Sequence, residues 1–254
     1  MTEIRLEKLT KELGGNEVIA GIDLTFSGGN VIVLLGANGA GKTTLLHILG
    51  GLYQPTSGQV LLDKEPLERT NLGQRQRIHY LPDIPTLHPS QTPLDYIVFA
   101  LECYGCTTEV DDQRVLDLME EFDMLAVADN PCRALSRGQR YKATLIAMLA
   151  VDPDVWILDE PFTSGMDPLG LTAMRSYLMD AGKRGKLVVY STQLVEIAQQ
   201  TSDLVCVLSS NQVAAFGTAD SLQESADNSP ALNILLQQLR GDADMLAFTE
   251  EESD

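Results

Sequence analysis

The stretch NVIVLLGANGAGKTTLLHILGGL, residues 30–52, decides how the chain is read. Residues 30–35 are a short apolar run and residues 43–52 carry an apolar helical pattern. Between them Gly36–Thr44 matches G-x-x-x-x-G-K-[ST] in the strand, loop, helix order that this segment needs to cradle a polyphosphate. Gly36, Asn38, Gly39, Ala40 and Gly41 let backbone N–H groups converge, and the helix N-terminus adds partial positive charge. Lys42 can reach the β- and γ-phosphates, Thr43 offers a hydroxyl to Mg²⁺, and Thr44 completes the segment. A glycine-rich turn that merely ends in Lys-Thr would lack the flanking strand and helix.

With 254 residues and 44% hydrophobic content the chain can bury a full core, as one large domain or a domain with a subdomain. Its formal charge of −18 argues against a broad basic face for nucleic acid, while leaving local phosphate sites open. No stretch approaches the roughly 20 apolar residues of a membrane span, and the opening MTEIRLEKLT lacks the apolar core of a secretory signal, so a cytoplasmic protein is expected. The four cysteines suggest no disulfide framework, and Cys103 and Cys106 read as packing residues of an amphipathic helix.

Strand-like runs (IRLEKLT, EVIAGIDLTF, NVIVLLG, QVLLD, RIHYLP) fill the first part of the chain. From about Thr92 to Ala150 the period turns helical, and strand character then returns with DVWILDEP, LVVYST and a predicted hairpin around Ser209-Ser210-Asn211. The helical block therefore interrupts the sheet-forming part, whose two portions are expected to share one sheet. At the strand end in VWILDEP, Asp159 can hold the Mg²⁺ shell and Glu160 can polarise an attacking water. Taken alone, the pair also reads as a solvated acidic turn. The C-terminal end, with Asp242, Asp244 and AFTEEESD, reads as a solvated tail or a partner-binding one.

Leu135–Arg140, LSRGQR, resembles the LSGGQ signature of the ATP-binding cassette (ABC) proteins, although Ser136 could also be a simple helix N-cap. SGMDP at Ser164–Pro168 is similar to the D-loop of that family, and YLPDIPTLHPSQTPLDY to its Q-loop region. The resemblance runs from Ile4 to about Gly217. It implies an α/β fold: a P-loop NTPase core with a mixed sheet, an antiparallel β subdomain and an inserted helical subdomain. The expected divisions are 1–90 and 151–218 for the core, 91–150 for the helical subdomain and 219–254 for a C-terminal helical extension with the acidic tail. ATP and Mg²⁺ are the implied cofactors, with Lys42, Glu160 and Gln193 at the reaction and Thr43, Asp159 and Asp83 at the metal. In the family the signature of one protomer closes on the ATP held by another. Ser136, Gly138 and Gln139 would then bind nucleotide across a homo- or heterodimer. A transmembrane permease on a separate chain would dock near residues 83–96 and hold the protein peripherally on the cytoplasmic face of the membrane.

Three positions depart from the family pattern. Leu13 stands where the family stacks an aromatic A-loop residue on adenine; losing such stacking, worth ~1–3 kcal/mol, weakens base selectivity. Asp83 stands at the Q-loop glutamine position, where an ionised carboxylate ~6 Å from the γ-phosphate costs roughly 3 kcal/mol before metal compensation. Gln193, at the tip of LVVYSTQ, stands where the family has its switch histidine; it can donate a hydrogen bond but carries no charge, so slowed hydrolysis is expected. Its alternative reading is a helix cap. Besides the transport ATPase, most like export-type subunits in its Leu81-Pro82-Asp83 stretch, a weakly hydrolysing regulatory module and a soluble non-transport ATPase compete. The acidity, the single cassette and the lack of long heptad insertions argue against the last.

Overall fold

The computed structural model describes residues 1–106 and 112–228 and the single positions 233 and 237. The expected acidic tail lies outside the described residues. The chain begins with β1 (Glu3–Leu13), β2 (Asn16–Ser27), β3 (Asn30–Leu35), α1 (Lys42–Leu49), β4 (Ser57–Leu62) and β5 (Glu65–Pro66). Then come α2 (Leu72–Arg75), β6 (Ile78–Leu81), α3 (Pro93–Cys103), α4 (Asp112–Glu121) and α5 (Arg137–Val151). The remainder is β7 (Val155–Leu158), α6 (Pro168–Lys183), β8 (Leu187–Thr192), α7 (Val195–Thr201), β9 (Leu204–Ser209), β10 (Gln212–Gly217) and α8 (Ala219–Asn228).

Apolar runs with no alternation must be covered on both faces, and β3, β7 and β8 are buried along almost their whole length. They lie inside a six-stranded sheet of order β10-β9-β3-β8-β7-β6, parallel except for β10. Val31, Val33, Trp156 and Leu158 face one core together with residues of α3 to α8. Ile32, Leu34, Val155 and Ile157 face the other, filled by α1 and by β1, β2 and β4. The strands β2-β1-β4-β5 form a separate antiparallel sheet. Both expected portions of the chain thus meet in one sheet, as the strand-like runs required.

The helices α3, α4 and α5 lie in sequence between the neighbouring strands β6 and β7, and α3 and α4 pack on α5. Thr92 starts α3 with a capping box: its hydroxyl accepts from Asp95 N–H, and Pro93 takes the first turn, where no N–H is needed. The β9–β10 hairpin turns at Ser210 and Asn211, both at positive φ, as a two-residue type I′ turn demands. Two elements were not expected, β5 and α2, which are too short to show a period; α7 follows the polar tip of β8, where the cap reading of Gln193 implied a helix. Cys103 ends α3 and Cys106 lies just beyond it, its Sγ donating to Tyr104 O at 3.8 Å; both are thiols rather than a disulfide.

His79 points from the edge strand β6 to the helical side, where its ring stacks on Tyr104 with centroids 5.2 Å apart. It is buried, its Nδ1 has no hydrogen-bond partner, and burial lowers its pKa to about 4. The folded state therefore holds it neutral, while the unfolded chain takes up a proton below about pH 6.5. The stability tied to His79 is complete above that pH and falls away as the pH drops towards 4, by up to about 3 kcal/mol. Urea denaturation at pH 7.5 and pH 4.5 will show this loss, and His79→Phe will flatten it.

Candidate functional site

Parallel strands in register bring their C-terminal ends to one edge. Leu35 of β3 lies opposite Thr192 of β8, Leu158 of β7 opposite Tyr190, and Leu81 of β6 opposite Leu158. The segments leaving that edge are the glycine-rich loop, Pro82-Asp83, Asp159-Glu160 and Gln193. Crevices at such an edge are where open α/β sheets bind ligands.

Gly41 has φ 98°, and a Cβ there would meet the Val18 carbonyl oxygen at 2.7 Å, so the loop accepts only glycine at this turn into α1. Lys42 is folded back over the loop, its Nζ donating to Gly36 O at 2.7 Å and Ala37 O at 3.3 Å and lying 3.4 Å from Glu160 Oε1. In front of it is a cavity of about 400 Å³ lined by Val18, Ala37, Asn38, Gly39, Gly41, Lys42, Thr43, Thr44, Asp83, Asp159 and Glu160.

Asp159 is buried and held at both oxygens: Ser191 Oγ donates to Oδ1 at 2.6 Å and Tyr80 Oη to Oδ2 at 3.3 Å. Tyr80 is itself braced edge-on by His47 of α1, and burial followed by the Asp159 charge raises its pKa. Ser191 also accepts from Glu160 N–H at 2.9 Å, which fixes the backbone of Glu160 at φ 44°. Burial pushes the Glu160 carboxyl up, against the pull of Lys42. Its Oε2 is buried and meets no partner in the protein, a cost that a water or a phosphate-bound metal in the cavity would relieve. Among the described residues no group of three or more His, Cys, Asp or Glu could hold a metal. Mg²⁺ takes one or two carboxylates together with phosphate oxygens and waters. The residues present fit a magnesium polyphosphate, and Thr43 and Asp159 are among the oxygen-bearing side chains that line the cavity.

Ser136 caps α5 in a reciprocal box, accepting from Gln139 N–H at 3.1 Å while its own N–H donates to Gln139 Oε1 at 3.0 Å. The cap reading of Ser136 is met, and the cap leaves its hydroxyl proton free to donate to another group. Gly138 sits so close to the Gly165 carbonyl that a Cβ would collide with it, and buried Lys142 pairs with Asp167. These contacts seat the start of α5 on the SGMDP segment of the same chain. Arg137 Nη2 meets Asp83 Oδ1 at 2.6 Å.

Of the residues expected from sequence, the loop, Asp83, Asp159 and Glu160 surround one cavity. Ala40 and Gly36 shape the loop beside it, through Ala40 N–H to Ala37 O and Gly36 O to Lys42. Ser136, Gly138 and Gln139 do not line it, and Ser136 is exposed. Leu13 pairs with Asn16 across the β1–β2 turn and is 39% exposed; Val18 is the apolar residue beside the loop. Gln193 lies half-buried just past β8 outside the cavity lining, and it does not cap α7, whose N-cap is Leu194. Sequence reasoning missed Ser191, Tyr80 and Arg137. For Ser191 a signal existed, since a polar residue ending the apolar strand LVVYST must satisfy its hydroxyl inside.

A glycine loop, a lysine and paired carboxylates at the carboxyl edge of a parallel sheet define a P-loop nucleotide-binding protein. The family profile described as "ABC transporter" matches residues 19–163. The chain belongs to that family. It is 34% identical over 80% of its length to an energy-coupling factor transporter ATP-binding protein of Methanosphaera stadtmanae, covering 74% of that protein. It is 33% identical over 87% of its length to Nod factor export ATP-binding protein I of Burkholderia lata, covering 73% of it. A solved structure described as the ATP binding subunit of an ABC transporter superposes with a TM-score of 0.85 at 24% identity, over 93% of this chain and 98% of that one. At that identity the last likeness establishes the fold alone.

Ser191→Ala leaves the Glu160 N–H without its acceptor and Asp159 Oδ1 without its donor. We expect a loss of about 1–3 kcal/mol in urea denaturation, together with a weaker Mg²⁺ dependence of nucleotide binding.

Proposed function

We propose that the chain is the ATP-binding, ATP-hydrolysing subunit of an ABC transporter, working in a dimer that drives a separate membrane permease. The observation that carries this reading is the division of the site within one chain. Lys42, Asp159 and Glu160 share a cavity, while Ser136 stands exposed outside it, ready to face the nucleotide of another subunit. The loop N–H groups and Lys42 hold the phosphates. Thr43 and Asp159 would hold Mg²⁺, which would neutralise phosphate charge; Asp83, expected at the metal from the sequence, is drawn instead to Arg137. Glu160, with its raised pKa and unpartnered Oε2, orients the attacking water and draws on its proton. Gln193 contributes a neutral hydrogen bond to the γ-phosphate, and Leu13 with Val18 offers adenine an aliphatic rather than an aromatic surface.

We assign residues 1–90 and 151–218 to the core, 91–150 to the helical subdomain and 219–254 to a C-terminal extension. No helix among the described residues is long and apolar enough to cross a membrane, so the permease would be another chain that holds this one at the cytoplasmic face. The Leu81-Pro82-Asp83 stretch supports an export-type subunit. Relatives named for export and for an energy-coupling factor match at nearly the same identity, so that stretch carries the direction alone.

Because Gln193 lacks the charge of a histidine, hydrolysis is slow. Gln193→His is expected to raise kcat about 10- to 150-fold, the worth of one charge-assisted hydrogen bond made in the transition state. Glu160→Gln is expected to abolish turnover while ATP still binds. Steady-state phosphate release by the purified variants checks both. If the wild type already turns over as fast as Gln193→His, the slow-hydrolysis reading fails; if no variant hydrolyses ATP, the regulatory-module reading replaces it.

A further inference from the structure

Among the described residues, the cavity that receives the phosphates is lined by three carboxylates, Asp83, Asp159 and Glu160, and by a single cation, Lys42. Each uncompensated carboxylate in such a wall weakens triphosphate binding. Two of the three are compensated. Glu160 lies 3.4 Å from Lys42. Asp159 accepts hydrogen bonds from Ser191 and Tyr80, and it is the carboxylate that the proposed function gives to the metal. Asp83 remains, and no further cation among the lining residues is left for it.

Its partner comes from the signature helix. Arg137 lies 54 residues further along the chain, between the capping Ser136 and the tightly seated Gly138, and its Nη2 donates to Asp83 Oδ1 at 2.6 Å. We propose that Arg137 is the second cation of the phosphate site: a positioning residue on the helix bearing the signature that neutralises Asp83, so that the cavity accepts a triphosphate despite its third carboxylate. The inference rests on reading the cavity as a nucleotide site, and it assigns Arg137 a role in its own subunit's pocket rather than in the facing one.

Asp83 at the Q-loop position and Arg137, which stands in LSRGQ where LSGGQ has its first glycine, then form one compensated pair. The other contacts at the start of α5 are of a different kind. Gly138 against Gly165 is steric, and Lys142 is buried on Asp167. The Arg137–Asp83 pair is open to solvent, with the two side chains 46% and 36% exposed, so it is sensitive to salt and to other anions. Phosphate charge in the cavity therefore acts directly on the residue next to Ser136, linking the nucleotide pocket to the surface that a second subunit would meet.

The test is binding of magnesium and a non-hydrolysable ATP analogue to the full-length chain, by titration calorimetry, at low and high salt. Arg137→Ala is expected to raise Kd about tenfold at low salt, because Asp83 is left facing the phosphates uncompensated. Arg137→Lys, which keeps the charge, should stay within about threefold of the wild type. Adding Asp83→Asn to Arg137→Ala should bring Kd back to within about threefold of the wild type, and high salt should shrink the loss in the single variant. If Arg137→Ala costs as much in the presence of Asp83→Asn as in its absence, Arg137 acts only through the shape of the helix tip, and the proposal is overturned. So it is by an unchanged Kd in Arg137→Ala. If the wild type binds no nucleotide, the reading of the cavity itself falls; if it binds and Asp83→Asn gives no rescue, only the pairing does.

Discussion

The register of the parallel strands is the constraint on which the rest depends. Because β6, β7, β8 and β3 run side by side in one direction, four segments far apart in sequence leave the sheet at the same edge. Each strand is apolar along most of its length, and β3, β7 and β8 are buried on both faces, so a slip would disrupt the packing of two cores at once. The glycine-rich loop, Asp159-Glu160 and Asp83 are thereby brought to one cavity by the core, where their own contacts then fix them. Ser191 refines this placement, since one hydroxyl ties the Asp159 carboxylate to the Glu160 backbone.

Charge is the second organising term. The chain is acidic overall and so is the wall of its phosphate cavity, yet each carboxylate there meets a donor: Lys42 for Glu160, Ser191 and Tyr80 for Asp159, Arg137 for Asp83. The repulsion expected of an unpaired Asp83 is thus met within the protein. The same helix that supplies Arg137 exposes Ser136 away from the cavity. On the proposed function, Ser136 would serve the nucleotide of a second subunit.

Much of this was legible in the sequence because it is local. Gly41 needs positive φ, Lys42 must follow it, and α1 must begin there; a nine-residue pattern, Gly36–Thr44, carries all three. The helical insertion was legible from its change of period, and the β9–β10 turn from its residues. What was not legible depends on contacts across the fold. No spacing rule joins Arg137 to Asp83 or Tyr80 to Asp159, since each pair meets only once β6 lies beside β7 and α5 lies above that edge. Gln193 illustrates the limit from the other side: its local pattern allows two readings, and the cap reading ends only because Leu194 begins α7.

The central claim is that one triphosphate is gripped between the loop of one subunit and the signature of another. It is tested most directly by the mass in solution of Glu160→Gln protein with magnesium ATP, beside the same protein also carrying Ser136→Glu. The account predicts that ATP doubles the single-chain mass in the first and not in the second, although both bind the nucleotide. Doubling that ignores Ser136, or full-affinity ATP binding that leaves both proteins as single chains, would contradict it.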